Sequence, residues 1–549
     1  MRHGGRILTD QLVEQGVSRV FSVPGESFLA ALDGLHDSGI QNVVCRHEGG
    51  AAIMAEAQGK MTGRPGVAFV TRGPGATNAS CGVHVARQDS TPMVLFVGQI
   101  ARDHRDREAF QEVDYRAFFG PIAKWAAEVD QIDRLPEYIN RAFHMAMSGR
   151  PGPVVLALPE DMLSGLSDVP VLAPTAPSVA GVEAAQTDAI LDALSRAASP
   201  LVIAGGGGWN VAASDQLQKF AEAQGLPVAV TFRRQDIIDN RAPCYAGDLG
   251  VGMNPALAAR LKAADCLLVL GARLGDIATG AYELIDVAAP GKTICHVHPD
   301  PDLPGSVYRT DLAITARPAQ VLDRLVQAPR AGDHRAATQA ARSEYQAWLQ
   351  PRETPGAVKM ERVVGWLNET LPDDAILTNG AGNYAAWLHR YFQYREPGTQ
   401  LAPTSGSMGY GFPAAIAASL QHPDRTVVCF AGDGCFQMTL NEMSTAMQHG
   451  AKVIVVVCNN GRYGTIRMHQ EKTYPGRVSG TDLMNPDFAA LARAYGGFGE
   501  VVMDDADFPA AFGRAQAAGT LAVIELRVDP DMLSTGASLS ETRAAGQQR

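Results

Sequence analysis

At 549 residues the chain is too long for one hydrophobic core, and a prior of roughly 150 residues per domain predicts three or four domains, of which we expect three. Apolar residues make up 46% of the chain and charged residues 19%, a balance that excludes a largely disordered protein. The formal net charge of −11 argues against nucleic-acid and anionic-membrane partners, which usually meet a basic surface.

Three blocks alternate short β-branched runs with amphipathic helical stretches. This pattern predicts an α/β fold with three parallel sheets covered by helices. We place the blocks at residues 1–168, 185–330 and 356–549. A linker rich in Pro, Ala and Ser covers 169–186, and a polar helical connector precedes the third block.

The predicted strands end in glycine, proline or polar residues, where ligand-binding loops gather in parallel sheets. A helix is predicted over TLNEMSTAMQHG, with Thr439 and Glu442 as a capping box and Gly450 as its C-terminal stop. In chain order the strands are RVFSVPG, NVVCRHE, GVAFVTRGPG, PMVLFVGQ and PVVLALPED, then PLVIAGGGG, LPVAVTF, CLLVLGARLGD and TICHVHPDP, then DAILTNGAGN, TVVCFAGDG, KVIVVVCNN and LAVIELRVD.

The eight cysteines form no CxxC pair and mostly lie in apolar strand-like runs, which predicts reduced thiols in the core. The first residues, MRHGGRILTDQLVEQG, lack the apolar stretch of a signal peptide, and no window approaches about 20 uninterrupted apolar residues. We therefore expect a soluble, cytoplasmic protein.

The strongest chemical signal joins Asp433, directly after the strand TVVCFAG, to Asn460, after the strand KVIVVVCN. Mg²⁺ prefers oxygen ligands and commonly bridges a carboxylate to substrate phosphates. An Asp and an Asn at neighbouring strand ends supply two such oxygens, and a backbone carbonyl near Arg462 would complete the set. The spacing therefore predicts a magnesium site.

The glycines on either side of the same aspartate, Gly432 and Gly434, predict a phosphate site. They would let the backbone N–H groups of Gly434 and Cys435 approach a phosphate, as loops before helices often do. Taken alone, a GDG turn is equally a simple strand end. Its pairing with the Asn-Asn that follows favours the ligand site.

This arrangement resembles the cofactor-binding motif of thiamine diphosphate enzymes, and the resemblance extends through the third block. It implies that Asp433, Asn460 and the main chain of Arg462 bind Mg²⁺. Met408, in the glycine-dense turn GSMGYG, stands where related enzymes place a bulky apolar side chain between the two cofactor rings. A core methionine is the alternative.

A thiamine enzyme needs a carboxylic acid against the aminopyrimidine ring, so that the ring can take the proton from the thiazolium carbon. Glu48, after the strand NVVC, stands where the family carries this glutamate. The alternative is that Glu48 only caps the helix that begins at Gly49.

The chain is most similar to the large catalytic subunits of the acetolactate synthase group, over nearly its full length and in the order pyrimidine-binding, central and diphosphate-binding domain. The stretches TRGPGATN, QDSTPM and AFQE carry this resemblance. It implies that Phe110, Gln111 and Lys124 approach the substrate, where a cationic Lys124 would pair with a 2-oxo acid carboxylate. A solvated lysine is the alternative. The resemblance also places Pro24, Gly25, Asn78, Gly382, Asn383, Tyr384, Gly406, Tyr463, Gly464 and Thr465 at the cofactor.

Several positions depart from that group. His469 replaces a tryptophan that shapes the acceptor pocket, Asn383 and Tyr384 replace a Gln-His pair, and Thr465 replaces a methionine. Glu26 and Ser27 also replace small residues in a cofactor-facing loop. The choice of substrate therefore stays open.

The central block contains a glycine run, Gly205 to Gly208, which together with Arg273 resembles part of the FAD site that acetolactate synthases carry there. The remaining FAD-contact sequences match poorly, and a glycine run after a strand is also a tight turn. The sequence favours the turn, and a bound FAD would be structural.

We predict an enzyme that uses thiamine diphosphate and Mg²⁺ to decarboxylate a 2-oxo acid, with pyruvate as donor, and to join the product to a second carbonyl. A lyase or decarboxylase resembling benzaldehyde lyase is the alternative within the class. From another class, a flavin or nicotinamide oxidoreductase would use GGGG as its dinucleotide loop, but no GxGxxG opens a helix there. The resemblance implies a homodimer at least, with a homotetramer expected.

Overall fold

The computed structural model describes residues 1–548 and contains three six-stranded parallel sheets, one in each predicted block. This confirms the predicted α/β class. The linker predicted over 169–186 has no helix or strand until Ala184, and the polar connector contains a helix over Arg335–Trp348.

The first domain has an apolar core on each face of its sheet. Val154 and Val155, neighbours on one strand, lie in different cores, and helices cover both faces. Its strands are β1 (Arg2–His3), β2 (Arg19–Ser22), β3 (Gln41–Val44), β4 (Gly66–Val70), β5 (Met93–Gln99), β6 (Trp125–Glu128), β7 (Pro153–Pro159) and β8 (Leu166–Ser167). Its helices are α1 (Gly4–Glu14), α2 (Leu29–His36), α3 (Glu48–Thr62), α4 (Pro74–Asp89), α5 (Tyr115–Phe119), α6 (Leu135–Met147) and α7 (Glu160–Ser164), with 3₁₀ turns at Glu26–Phe28, Arg102–His104 and Ile132–Arg134. The sheet order is β3-β2-β4-β5-β7-β6, and β1 pairs separately with β8.

The central domain repeats the parallel pattern. Its strands are β9 (Pro200–Ala204), β10 (Val228–Thr231), β11 (Tyr245–Leu249), β12 (Cys266–Leu270), β13 (Thr293–His298) and β14 (Leu312–Thr315). Its helices are α8 (Ala184–Arg196), α9 (Val211–Gln224), α10 (Pro255–Ala263), α11 (Pro318–Leu325) and α12 (Arg335–Trp348), with a 3₁₀ turn at Gln235–Ile237. The sheet order is β11-β10-β9-β12-β13-β14.

The third domain carries the Asp433 and Asn460 loops on neighbouring strands. Its strands are β15 (Ile376–Asn379), β16 (Gln400–Leu401), β17 (Val427–Gly432), β18 (Ile454–Asn459), β19 (Phe498–Val502) and β20 (Ala522–Arg527). Its helices are α13 (Met360–Thr370), α14 (Ala385–Tyr391), α15 (Gly411–Gln421), α16 (Asp433–Gln437), α17 (Met443–His449), α18 (Gly464–Thr473), α19 (Phe488–Ala494), α20 (Phe508–Ala517) and α21 (Leu539–Gln547), with 3₁₀ turns at Leu440–Glu442 and Asp505–Asp507. The sheet order is β16-β15-β17-β18-β20-β19, all parallel.

The first and third domains share one apolar core, in which α3 packs against α15. Both helices are rich in small residues, such as Ala52 and Ala55 on α3 and Ala415 and Ala418 on α15, all fully buried. Small side chains let two helices approach closely. The loop before α3 and the loops of the third domain are therefore held in a fixed relation within the chain.

Seven strands were not predicted. β6, β11, β14, β16 and β19 lie at the edges of the three large sheets, and β1 and β8 form the separate two-stranded sheet. The predicted capping box is also wrong. The Thr439 hydroxyl donates to the carbonyl of Gly409 at 2.8 Å, and Glu442 is fully buried. The stop at Gly450 is confirmed, since this glycine ends α17 with a left-handed φ of 69°.

The eight cysteines are all free, and seven of them are buried, as predicted; Cys81 is the exposed one. Within residues 1–548, none of the helices combines the length and the apolar character that a membrane span requires.

Candidate active site

Asp433 is a buried carboxylate at the carboxyl end of β17, with 3% of the residue exposed. Its Oδ1 accepts from the N–H of Gly434 at 2.8 Å, and its Oδ2 accepts from the N–H of Gly461 at 2.9 Å and from Nδ2 of Asn485 at 2.7 Å. None of these donors carries a positive charge, and burial raises the pKa of Asp433. A carboxylate so desolvated is stabilised by a cation, so the site fits a divalent metal.

The two asparagines after β18 have different surroundings. Asn459 is buried, donates to Glu525 Oε1 at 2.6 Å and accepts from Asn485 Nδ2 at 2.8 Å. Its side chain is therefore hydrogen-bonded within the domain and does not face the cavity. Asn460 instead lines a cavity together with Asp433. Because β17 and β18 are parallel neighbours, the two predicted ligands lie at the same edge of the sheet.

The cavity has a volume of about 250 Å³ and opens at this edge. All the cofactor and metal candidates predicted in the third block line it, while its lining includes none of the first-block candidates. The lining residues not predicted from sequence include Trp387, Ile466, Met532 and Leu533. The predicted residues that line it are Gly382, Asn383, Tyr384, Gly406, Met408, Gly432, Asp433, Gly434, Cys435, Asn460, Arg462, Tyr463, Gly464 and Thr465.

The donor set suits Mg²⁺ better than a transition metal. No group of three or more His, Cys, Asp or Glu residues that could hold a metal occurs in the described part of the chain. The predicted donors, one carboxylate, one amide and one backbone carbonyl, would leave coordination positions for phosphate oxygens and water, which is how Mg²⁺ is usually held in proteins.

The glycines flanking Asp433 have a packing role that was not predicted. A Cβ on Gly434 would lie 2.6 Å from the Tyr463 ring, and a Cβ on Gly432 would lie 2.7 Å from the Tyr384 ring. Both glycines therefore make room for aromatic side chains that close the cavity. The N–H of Gly434, predicted to face a phosphate, donates to Asp433 instead.

Two of the positions that depart from the acetolactate synthase pattern contact each other. The hydroxyl of Thr465 donates to Oδ1 of Asn383 at 3.0 Å and accepts from the backbone N–H of Asn383, also at 3.0 Å. Another of these positions is Tyr384, whose hydroxyl donates to Cys435 Sγ at 3.2 Å. His469 lies exposed on α18 and outside the cavity lining.

Met408 is half-buried in the cavity wall. The next residue, Gly409, fixes the loop from two sides, because its N–H donates to Cys435 Sγ at 3.2 Å and its carbonyl accepts from the Thr439 hydroxyl at 2.8 Å. The backbone beside Met408 is therefore fixed, and its apolar side chain lines the cavity where the sequence predicts a wedge between two rings.

A second cluster lies at the carboxyl edge of the first sheet. Glu48 is the first residue of α3, and its Oε2 accepts from Nδ2 of Asn78 at 3.0 Å. The capping role belongs to His47, whose Nδ1 accepts from the N–H of Gly49 at 3.0 Å. Since His47 caps the helix, the carboxylate of Glu48 is directed by Asn78 and not by the helix end.

Other predicted residues of the first block lie close to this cluster. A Cβ on Gly75 would lie 3.3 Å from Glu48 Oε1, and a Cβ on Gly25 would lie 2.4 Å from the Thr71 side chain. Pro24 is exposed beside Gly25. Gln111 packs on Gly73 of the same loop, with a left-handed φ of 66°.

Lys124 differs from its sequence-based expectation. Its backbone N–H donates to the carbonyl of Pro153, the first residue of β7, so it lies at the amino edge of the sheet, opposite Glu48. Its Nζ donates to the carbonyls of Met145 at 2.6 Å and of Ser148. Burial lowers the pKa of Lys124 to about 8. The side chain is half-buried, donates to these two carbonyls and is not directed at the cluster around Glu48.

The glycine run of the central domain is explained by packing. A Cβ on Gly205 would lie 2.1 Å from the Thr231 hydroxyl, and one on Gly206 would lie 2.0 Å from the carbonyl of Gly271. The run nevertheless borders a second cavity of about 590 Å³, which Arg234 and Arg273 help to line. Arg234 Nε has no hydrogen-bond partner and lies 3.8 Å from Asp236 Oδ1. Asp89 and Asp276 also line the cavity, so its lining carries charges of both signs.

Comparison with known proteins identifies the class. Family models of the thiamine pyrophosphate enzymes match three parts of the chain. The N-terminal TPP binding domain matches residues 2–118, the central domain residues 187–325 and the C-terminal TPP binding domain residues 380–526. The chain therefore belongs to the thiamine pyrophosphate enzymes, and it is a thiamine diphosphate-dependent enzyme.

Within that class the chain is similar to acetolactate synthases. It is 33% identical to the acetolactate synthase large subunit of Parasynechococcus marenigrum, over 91% of this chain and 83% of that protein. It is 30% identical to the acetolactate synthase isozyme 2 large subunit of Escherichia coli, over 91% and 90% of the two chains. It is 32% identical to the mitochondrial acetolactate synthase catalytic subunit of Saccharomyces cerevisiae, over 90% and 76%. This membership supports the thiamine diphosphate assignment over an oxidoreductase that would use GGGG as a dinucleotide loop.

Proposed function

We propose that this chain catalyses the thiamine diphosphate- and Mg²⁺-dependent decarboxylation of a 2-oxo acid, with pyruvate as donor, and joins the remaining two-carbon unit to a second carbonyl. One observation carries the proposal: Asp433, Asn460 and Met408 line one cavity. The same chain places Glu48 at the carboxyl edge of its first sheet, where Asn78 donates to the carboxylate. Acetolactate synthesis, the activity in the relatives' names, is the reaction that we propose first.

In this proposal the third domain binds the diphosphate end of the cofactor. The side chains of Asp433 and Asn460 and the backbone carbonyl of Arg462 would hold Mg²⁺, which would offset the negative charge of the carboxylate and of the diphosphate. Tyr384 and Tyr463 line the same cavity, and their rings would help to exclude water from it when the cofactor is bound.

The bound cofactor would supply an acidic carbon, which attacks a carbonyl after it has lost its proton, and a cationic thiazolium ring, which accepts the electron pair left by CO₂. Glu48 would exchange a proton with the aminopyrimidine ring, and Asn78 holds the glutamate by donating to Oε2. Met408 would lie between the two cofactor rings and hold them in a V shape, while Gln111 and the exposed Phe110 would border the substrate.

We further propose that the working enzyme is at least a homodimer, and that it forms a homotetramer. The cavity around Asp433 has no residue of the first domain in its lining. A cofactor bound there would therefore meet Glu48 most readily from a second copy of the chain. Exposed apolar side chains support this arrangement, since Phe110 is 74% exposed beside Gln111 and Ile466 is 54% exposed at the cavity rim. The site of action that we propose is the cytoplasm.

The proposed reaction needs no electron transfer to a second cofactor. The charged cavity beside Gly206 is large enough for a nucleotide, and Arg234 and Arg273 would bind its phosphates. A flavin bound there would therefore stabilise the structure and would take no part in the step that forms the carbon–carbon bond.

The test is a product analysis. Purified protein is incubated with pyruvate, Mg²⁺ and thiamine diphosphate, and CO₂ and the carbon products are quantified beside a Glu48→Gln control. Acetolactate from the unmutated enzyme, with a loss of about 100-fold or more in the control, supports the proposal. Acetaldehyde without acetolactate would support the decarboxylase alternative. Cleavage of benzoin with no reaction of pyruvate would replace the proposed reaction by the lyase alternative.

A further inference from the structure

A segment of the third domain holds the loop that leads into Glu48. This segment, residues 442–449, comprises the last residue of a 3₁₀ turn and helix α17. The loop is taken with its flanking residues, from Val44 at the end of β3 to Glu48 at the start of α3. The N–H of Val44 donates to Nε2 of His449 at 3.0 Å, and the hydroxyl oxygen of Thr445 lies 3.4 Å from the carbonyl oxygen of Val44. The contact joins two domains about 400 residues apart in sequence.

Glu442 makes the most direct of these contacts. Its carboxylate is fully buried and accepts from the N–H of Arg46 at 3.1 and 3.2 Å and from the N–H of His47 at 2.9 Å. The Thr445 hydroxyl donates to Oε2 at 2.6 Å. The charged side chain of Arg46 is turned away, to Ser444 and Gln448 on α17. The buried carboxylate is thus satisfied chiefly by the backbone of the loop.

This geometry limits where Glu48 can lie. The two N–H groups that Glu442 accepts belong to the two residues directly before Glu48, and the N-cap His47 is one of them. Displacement of this peptide would move the start of α3 and pull the glutamate away from Asn78.

We propose that Glu442 is a positioning residue for Glu48, which fixes the loop through two backbone hydrogen bonds from the neighbouring domain. This inference rests on the proposed role of Glu48 in activating the cofactor. It assigns a function to a carboxylate that neither contacts the Asp433 cavity nor caps its own helix.

The start of α3 lies directly on Glu442. A Cβ on Gly50 would lie 2.3 Å from Oε1 of Glu442 and 2.8 Å from its carboxyl carbon. Only glycine fits at this position unless the carboxylate moves. Gly50→Ala therefore perturbs the same contact from the opposite side, without changing Glu442 itself.

The experiment compares Glu442→Gln and Gly50→Ala with a control, the double variant Ser444→Ala with Gln448→Ala. This control removes the hydrogen bonds that the Arg46 side chain makes to α17 and leaves its bond to the carbonyl of Val44. The first readout is hydrogen exchange of the Arg46 and His47 amides in protein without cofactor. The second is the pair kcat and KM for pyruvate, with thiamine diphosphate and Mg²⁺ at saturation. The third is the rate of proton exchange at the thiazolium carbon of the bound cofactor.

Both test variants are expected to speed exchange of the two amides and to lower kcat by about 10- to 100-fold, with KM changed little and thiazolium proton exchange slowed in proportion. The control should match the unmutated protein in all three readouts. In a Glu48→Gln background, Glu442→Gln should cause no further loss of kcat, because both changes disable one function.

The inference is overturned if the amides exchange faster while kcat and proton exchange stay unchanged. It is also overturned if the losses of Glu442→Gln and Glu48→Gln simply multiply, as they would for a general effect on folding. Failure of the proposed function is recognised separately. In that case Glu48→Gln would leave kcat unchanged, and this result does not depend on how fast the amides exchange in the Glu442 variants.

Discussion

Asn485 donates to the carboxylate of Asp433 at 2.7 Å, and the same amide nitrogen donates to Oδ1 of Asn459 at 2.8 Å. Its carbonyl oxygen accepts from Nε2 of Gln437 at 2.7 Å, so every polar atom of the amide is engaged. Asn485 therefore orients the carboxylate that we propose as a metal ligand. Groups of this kind set both the direction and the basicity of a ligand.

Asn485→Ala is predicted to weaken the binding of thiamine diphosphate in the presence of Mg²⁺ by about 10- to 100-fold, because Asp433 loses an oriented donor. Titration calorimetry with cofactor at fixed Mg²⁺ measures this. Met484→Ala is the matched control, since Met484 is the neighbouring residue and is 99% exposed. Equal affinities of the two variants would refute an orienting role for Asn485.

The position of Lys124 leads to a different prediction. Lys124→Met is expected to change kcat/KM for pyruvate by no more than about twofold, since the side chain lies at the opposite edge of the sheet from Glu48. Steady-state kinetics measure this, with Gln111→Ala at the carboxyl edge as a positive control that should lose about tenfold. A loss for Lys124→Met as large as that for Gln111→Ala would return the lysine to the substrate site.

The dimer proposal predicts complementation between two inactive variants. Glu48→Gln and Asp433→Ala are co-expressed with different tags, and the mixed dimers are isolated by both tags. One of their two sites would combine an intact Glu48 with an intact Asp433, so about half of the unmutated activity is expected. If each site used both residues from one chain, the mixed dimers would stay inactive.

The C-terminal helix α21 is attached through an ion pair that should respond to acid. The Glu471 carboxylate on α18 accepts from Arg543 Nε at 2.9 Å and Nη2 at 2.5 Å, and from the N–H of Gly476 at 2.8 Å. The hydrogen bonds from Arg543 lower the pKa of Glu471 from 4.5 to about 2. The stabilisation is therefore fully present above pH 4.5 and is lost as the pH falls toward 2.

We expect the difference in Tm between the unmutated protein and Glu471→Gln to shrink as the pH falls from about 5 to about 3. Thermal unfolding at one scan rate measures this. Glu137→Gln, which breaks an exposed pair with Arg134, should change Tm little at any of these pH values. A difference for Glu471→Gln that stays constant with pH would contradict the assignment.

The sequence allowed the central strands to be predicted, because strands buried on both faces are continuous apolar runs, such as IVVVC in β18. The strands that were missed lie at sheet edges. β19 is mostly half-buried and β16 has only two residues, so neither has a clear apolar pattern. Edge strands receive their structure from a neighbour and not from their own composition.

The candidate site was predictable where the chemistry requires a residue type next to a strand end, as for Asp433 and Asn460. Asn485 gave no such signal, because it lies in a loop without regular structure and acts only through its contacts with Asp433 and Asn459. Glu442 was assigned to a capping box because of its spacing from Thr439. Its true partners come from the first domain, and no local pattern specifies a contact across that distance.

The most direct measurement for the whole account is the rate at which the thiazolium carbon of bound thiamine diphosphate exchanges its proton with deuterated water, in the unmutated enzyme and in Glu48→Gln. With Mg²⁺ present, both proteins should bind the cofactor through the Asp433 site, and the exchange should be at least about 100-fold slower in the variant. Equal exchange rates in the two proteins, each saturated with cofactor, would contradict the role of Glu48 on which the proposed function depends.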